Sequence, residues 1–162
     1  ESVTHALADS GLPADRLEVE ITESLLMRNI DDSARLLREL AHMGVSISMD
    51  DFGTGYSSLA YLKRLPIDVV KIDRSFVLDI TTNPDDAAIA RTIILLAHSL
   101  GLRAVAEGVE TDAQLEFLHR HECDAIQGYW LAKPMSLAAL KEWLPVNPRL
   151  ERSVVTRLRP AG

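Results

Sequence analysis

Acidic and amide side chains recur where short β-rich runs stop: Glu20 and Glu23, Asp50 and Asp51, Glu107, and Gln127, with Lys71 the one cation in the series. If Glu20, Asp50, Asp51 and Glu107 gathered without counter-ions, mutual repulsion and desolvation would push some of their pKa values upward. Divalent cations relieve that strain, and an all-oxygen ligand set selects hard ions such as Mg²⁺ or Mn²⁺. Two such ions can clamp both the attacking and the leaving oxygen of a phosphodiester, so hydrolysis of a phosphate ester is the chemistry these residue types predict. Lys71, a compact point charge among carboxylates, suits holding an attacking hydroxide or a phosphate oxygen. Polar residues also end strands simply because loops are solvated; the repetition at five successive run ends is what sets this series apart.

Adjacent Asp50 and Asp51 would point to opposite faces of a continuing strand. For both to reach one site the backbone must turn, and the following loop residues Phe52, Gly53, Thr54 and Gly55 supply a turn, because glycine tolerates positive φ.

The elements that must position these groups alternate. β-rich runs at Leu17 to Thr22, Val45 to Asp50, Asp68 to Ile72, Leu102 to Glu107 and Asp124 to Gln127 are each followed by a longer segment of helical pattern. Ile30 to Met43 carries apolar residues at helical spacing behind Asp31, Asp32 and Ser33, and Gly44 ends it. Asp85 to Leu100 starts at Asn83-Pro84 and stops at Gly101, and Thr111 to Arg120 is capped by Thr111 or Asp112. Such alternation predicts an α/β fold with parallel strands under helices, as an open sheet or a closed barrel. No phosphate-cradling glycine motif favours the open sheet. In a barrel the C-terminal strand ends converge on one rim, which would bring the residues above together.

Composition narrows the remaining classes. The 162 residues are 47% hydrophobic and 25% charged, ordinary for one globular domain with a core. No apolar run approaches the ~20 residues of a membrane span, since Arg91 and His98 flank the longest, Thr92 to Ala97. A net charge of −7 argues against binding duplex nucleic acid, which demands a dense basic field. Cys123 is the single cysteine and cannot form an internal disulfide, which suits a reducing cytoplasm. The first residue is Glu1 rather than a methionine, so an excerpt of a longer chain is expected. A domain over residues 1–144 and an arginine-rich tail over 145–162 are the expected boundaries. His5, His42, His98, His119 and His121 lack ligand spacing, and Trp130 and Trp143 read as packing residues.

The motifs Glu20-Ile21-Thr22-Glu23, Asp50-Asp51-Phe52-Gly53-Thr54-Gly55-Tyr56-Ser57-Ser58-Leu59, Val70-Lys71-Ile72-Asp73, Ala106-Glu107-Gly108-Val109-Glu110, and Gln127-Gly128-Tyr129 with Pro134 together resemble EAL-type cyclic di-GMP phosphodiesterase domains. The resemblance runs from about Leu7 to Trp143 and corresponds to the C-terminal two-thirds of such a domain. It implies a partial TIM-like (β/α)8 barrel with about five βα units present, and two Mg²⁺ or Mn²⁺ ions as cofactors for cutting cyclic di-GMP to linear pGpG. Glu20 and Asp50 are then ligands of one metal, with Asp50 bridging to a second that Asp51 and Glu107 also hold. Lys71 orients the attacking water, Gln127 supports it, and Glu23 and Glu110 are supporting acids, Glu23 by anchoring the loop from Asp51 to Ser58. The Glu-Ala-Leu motif and a downstream asparagine ligand are expected upstream of Glu1, along with the first barrel strands. A cytoplasmic setting, a homodimer in the full-length context and an upstream GGDEF or sensory domain are also implied. The alternatives are a catalytically silent cyclic di-GMP receptor or interaction module and, further off, an unrelated barrel enzyme of enolate chemistry.

Overall fold

The computed structural model describes residues 2–55 and 62–144; the expected tail and Tyr56 to Leu59 lie outside the described residues. The chain enters through helix α1 (Ser2–Ser10) and a short 3-10 turn at Ala14–Arg16. Strand β1 (Glu18–Thr22) then leads into α2 (Glu23–Arg28) and α3 (Ile30–His42). Strands β2 (Ser46–Phe52) and β3 (Val69–Ile72) follow, then α4 (Arg74–Leu78) and α5 (Pro84–Ser99). Strand β4 (Arg103–Glu107), α6 (Asp112–Arg120), β5 (Ala125–Gln127) and α7 (Leu137–Trp143) complete the described chain.

All five expected runs are strands, and the three expected helices are present with ends shifted by a residue or so. Local chemistry starts each helix. The Asn29 side chain caps α3 ahead of Asp31 and Asp32, and Asn83 caps α5 with Pro84 at its first turn and Asp85 and Asp86 beside it. These acids complement the positive end of the helix dipole. Of the two candidates at the start of α6, the cap is Thr111, whose hydroxyl accepts from Gln114 N. The helices not anticipated, such as α2 and α4, are five or six residues long and follow strands directly, too short for a periodicity to show.

The strands form one parallel sheet in the order β1-β2-β3-β4-β5. Chain order equals spatial order, without the reversal a doubly wound sheet has, so the fold is an α/β arrangement of barrel type. The two faces of the sheet differ. Ile47, Met49, Val70, Ile72, Ala104 and Ala106 point to one side, where they pack with Leu37 of α3, Val77 of α4, Ile93 and Ile94 of α5 and Leu118 of α6. The alternate residues, including Glu20, Ser48, Asp50, Lys71 and Glu107, share the other face.

On that second face, Arg103 Nη2 of β4 lies 3.5 Å from Glu18 Oε2 of β1, although two strands intervene. Strands three spacings apart stand about 14 Å apart in a flat sheet, a span these two long side chains cover between them. At the N-terminal strand ends, Asp68 Oδ2 accepts from Ile47 N at 2.8 Å and Asp124 Oδ2 accepts from Ala104 N at 2.7 Å. Two carboxylates thus tie the start of one strand to the next, and His98 Nε2 joins the second of them at 2.8 Å.

Candidate active site

At the opposite, C-terminal rim, Lys71 Nζ sits 2.8 Å from Glu20 Oε1, 3.3 Å from Asp50 Oδ1 and 2.6 Å from Glu107 Oε1. Four strands meet in these contacts: β1 supplies Glu20, β2 Asp50, β3 Lys71 and β4 Glu107. The Lys71 side chain is only 6% exposed, so its charge is held away from water and depends on these carboxylates. Burial alone would lower the ammonium's pKa; hydrogen bonds to Glu107 and Glu20 and the charges of Glu107 and Asp50 override it and hold Lys71 well above the ordinary lysine value.

Asp50 Oδ1 is buried and accepts no hydrogen bond among the described residues; at 3.3 Å its relation to Lys71 is ionic rather than a directed bond. The next residue behaves differently. Asp51 has φ +54, a left-handed conformation that a non-glycine residue adopts at a cost. It falls within the register shift between Met49 and Phe52 in the β2–β3 ladder. The bend that separates the two aspartates is therefore at Asp51 itself, inside the strand, rather than in the glycine turn after Phe52 as the sequence suggests; Gly53 completes the turn with φ +98. Partial burial, then the charges of Asp50 and Asp73, raise the Asp51 carboxyl above its ordinary value, with Lys71 pulling the other way.

Glu23 is buried to 1% at the start of α2, and its Oε2 accepts from Gly53 N at 3.3 Å. Its Oε1 has no partner among the described residues and lies so close to Gly55 that a side chain there would collide with it. Glu23 therefore touches the loop it was expected to anchor, as far as Gly55. Glu110 stands apart from the Lys71 group, exposed, with its Oε1 2.9 Å from Arg74 Nη2. Gln127 is exposed opposite Glu107 in the β4–β5 register; its carbonyl accepts from Val109 N at 3.1 Å, and among the described residues no hydrogen bond joins its side chain to the Lys71 group.

By donor type and convergence, the oxygens of Glu20, Asp50 and Glu107 suit a hard divalent cation, with Asp51 beside them. The unbonded, buried Asp50 Oδ1 is the atom whose valence a cation would complete. Among the described residues the carboxylates do not form a metal-spaced cluster of their own; they gather round the ammonium of Lys71.

The EAL domain pattern matches residues 1–134. The chain belongs to the EAL domain family. The cyclic di-GMP phosphodiesterase NbdA of Pseudomonas aeruginosa is 54% identical over 144 residues, which is 89% of this chain and 18% of NbdA. The P. aeruginosa MucR phosphodiesterase, solved in complex with c-di-GMP, superposes with a TM-score of 0.83 at 51% identity, covering 86% of this chain and 56% of that one. BlrP1 of Klebsiella pneumoniae, in a manganese and cyclic di-GMP complex, superposes at 0.77 with 32% identity over 82% of this chain and 34% of that one. This EAL chain therefore spans about a fifth of NbdA and a little over half of the MucR structure.

Residues that the sequence reading passed over complete the EAL rim. Arg74 pairs with Glu110, and the stem of Arg74 fills the space beside Gly108, whose φ is +70. Gln114 is 4% exposed and joins α4 to α6. Its signal was legible in the spacing Thr111-x-x-Gln114, a capping-box pattern. Trp130, expected to pack, is buried and also donates from Nε1 to Asp112 Oδ1 at 2.9 Å.

Proposed function

We propose that this chain is the larger part of a phosphodiesterase domain that hydrolyses cyclic di-GMP to linear pGpG with two Mg²⁺ or Mn²⁺ ions. The observation that carries the reading is the convergence of Glu20, Asp50 and Glu107 on Lys71 Nζ at the C-terminal ends of four strands, with Asp50 Oδ1 buried and unbonded. Likeness to NbdA, MucR and BlrP1 supports the substrate and the metal class.

Glu20, Asp50, Asp51 and Glu107 would hold the ions, which when bound neutralise phosphate charge and lower the pKa of water. Lys71 contributes a positive charge fixed by three carboxylates, placed to hold the attacking oxygen or a phosphate oxygen in line. Glu23 steadies the turn carrying Asp51 through Gly53 N. Gln127, at the end of β5, faces the same rim as Glu107 and supports the attacking group. A cytoplasmic setting, a homodimer and an upstream GGDEF or sensory domain belong to this reading.

Cyclic di-GMP hydrolysis by the full-length protein in Mn²⁺ and in EDTA tests it. The expected result is pGpG formed only with Mn²⁺, and lost on Asp50→Asn. Binding of cyclic di-GMP without turnover would replace the enzyme with a silent receptor; neither binding nor turnover would overturn the reading.

A further inference from the structure

The ladder between β3 and β4 ends at the pair Ile72 and Ala106, one residue short of Glu107. Backbone pairing, which includes Lys71 with Val105, holds the two strands together as far as the residue before Glu107, and the Lys71 and Glu107 side chains meet at 2.6 Å. Beyond the ladder, Glu107 pairs only with Gln127 of β5. The turn that follows Glu107 lies beyond this ladder and needs its own contacts to hold it at the rim.

Gln114 has the geometry to do it. Its Oε1 accepts from Glu110 N at 2.7 Å and Thr111 N at 2.9 Å, both in the turn that follows Glu107. Its Nε2 donates to Val77 O at 3.2 Å and Leu78 O at 2.9 Å, at the end of the helix that follows Lys71. Helix starts leave N–H groups unpaired and helix ends leave carbonyls unpaired. One primary amide, with two donors and two acceptor lone pairs, meets both needs at once. Carboxylate and hydroxyl side chains lack that combination. The ion pair of Arg74, at the start of the same helix, with Glu110 joins exposed side chains and is weak for that reason.

The same turn is held on its other side by β5. Val109 N donates to Gln127 O, Trp130 N donates to Val109 O at 2.8 Å, and Gly128 packs directly on the Val109 backbone. β5 and Gln114 together hold Val109, Glu110 and Thr111, the turn that follows Glu107.

We infer that Gln114 is a positioning residue: it touches none of the converging carboxylates, yet it sets where Glu107 stands relative to Lys71 and so governs affinity for the divalent cation. This rests on the phosphodiesterase reading above.

The test compares the full-length protein with its Gln114→Ala and Gln114→Glu variants and with Leu118→Ala, which opens a cavity at a fully buried site on the same helix and leaves the Gln114 hydrogen bonds in place. All are studied well below their melting temperatures. Mn²⁺ affinity is measured by titration, and the ¹⁵N resonance of the Lys71 ammonium is followed without metal. Gln114→Ala is expected to weaken Mn²⁺ binding by about tenfold, as loss of a ligand-orienting partner does, and to shift or broaden the Lys71 signal. Gln114→Glu keeps the acceptor but sets a buried carboxylate oxygen against Val77 O and Leu78 O, so it should weaken Mn²⁺ binding at least as much as Gln114→Ala. Leu118→Ala should lower the melting temperature and leave both readouts near wild type. Equal changes in Leu118→Ala and Gln114→Ala at matched loss of stability, or an unchanged Lys71 signal in Gln114→Ala, would overturn the inference. If the wild type binds no Mn²⁺ and hydrolyses nothing, the phosphodiesterase reading fails, while the Lys71 signal still decides for or against positioning by Gln114.

Discussion

The turns after β2 and β4 each deliver a carboxylate to Lys71, and they are built in opposite ways. The turn after β4 is closed: Val109, Glu110 and Thr111 all place their N–H groups on partners, from Gln127 and Gln114. The end of β2 is strained, and beside it two buried carboxylate oxygens lack hydrogen bonds among the described residues. Asp51 sits at φ +54, the two oxygens are Asp50 Oδ1 and Glu23 Oε1, and Gly55 leaves Glu23 no slack. Under the proposed function, the strained end of β2 with its unpaired oxygens is where a cation would be held, beside the hydrogen-bonded turn after β4.

Removing the group common to both turns gives the largest expected effect. Lys71→Met should lower cyclic di-GMP turnover by roughly 10²–10³-fold, as loss of a fixed charge at the reacting phosphate does. Without metal it should also depress the melting temperature, because Glu20, Asp50 and Glu107 lose their cation, and Mn²⁺ should restore more stability to it than to wild type. Turnover within tenfold of wild type would show that Lys71 only packs the rim.

Gly108→Ala strikes the closed turn. A Cβ there meets the stem of Arg74 in a backbone at φ +70, so a loss of about 2 kcal/mol is expected. Denaturant unfolding should give the same loss with and without Mn²⁺; a loss that Mn²⁺ abolishes would mean this turn too yields to the metal.

Asp51→Gly strikes the strained end of β2 in the other sense. Relief of the left-handed strain and the added freedom of the unfolded glycine oppose each other, so metal-free stability should rise by less than about 1 kcal/mol. Mn²⁺ affinity should fall in the same variant. A metal-free protein clearly less stable than wild type would remove strain from the account of this strand end.

The smallest effect comes from a site outside both turns. Partial burial, then the charges of Arg91 and Arg120, hold the His121 ring below its ordinary value of 6.5. The unfolded chain therefore binds that proton more readily than the folded one. His121 is neutral in this balance above pH 6.5, and the folded protein loses stability as pH falls from there through the lowered value. His121→Asn should flatten the fall in melting temperature between about pH 7 and 5; parallel curves for variant and wild type would refute the shift.

Much of the fold was legible because the strands carry their own signature. Val69-Val70 and Ala104 to Ala106 are short apolar runs, and a charged residue, Lys71 or Glu107, follows each of them. Lys71, Glu20, Asp50 and Glu107 were legible on that ground alone. Arg74 has its partner 36 residues away, and the Thr111-x-x-Gln114 spacing reports the cap of α6 but not the Gln114 link to Val77, 37 residues away. Nothing local reports such a contact.

Residue type and alternation, which are local properties, determined the α/β class, the strand ends and the carboxylate series. Tertiary structure alone decided that the sheet is singly wound, that Glu20, Asp50 and Glu107 meet on one ammonium while Glu110 turns away to Arg74, and that the bend falls on Asp51. Each of these depends on which strands become neighbours, and that is set by packing across the whole core rather than by any one segment.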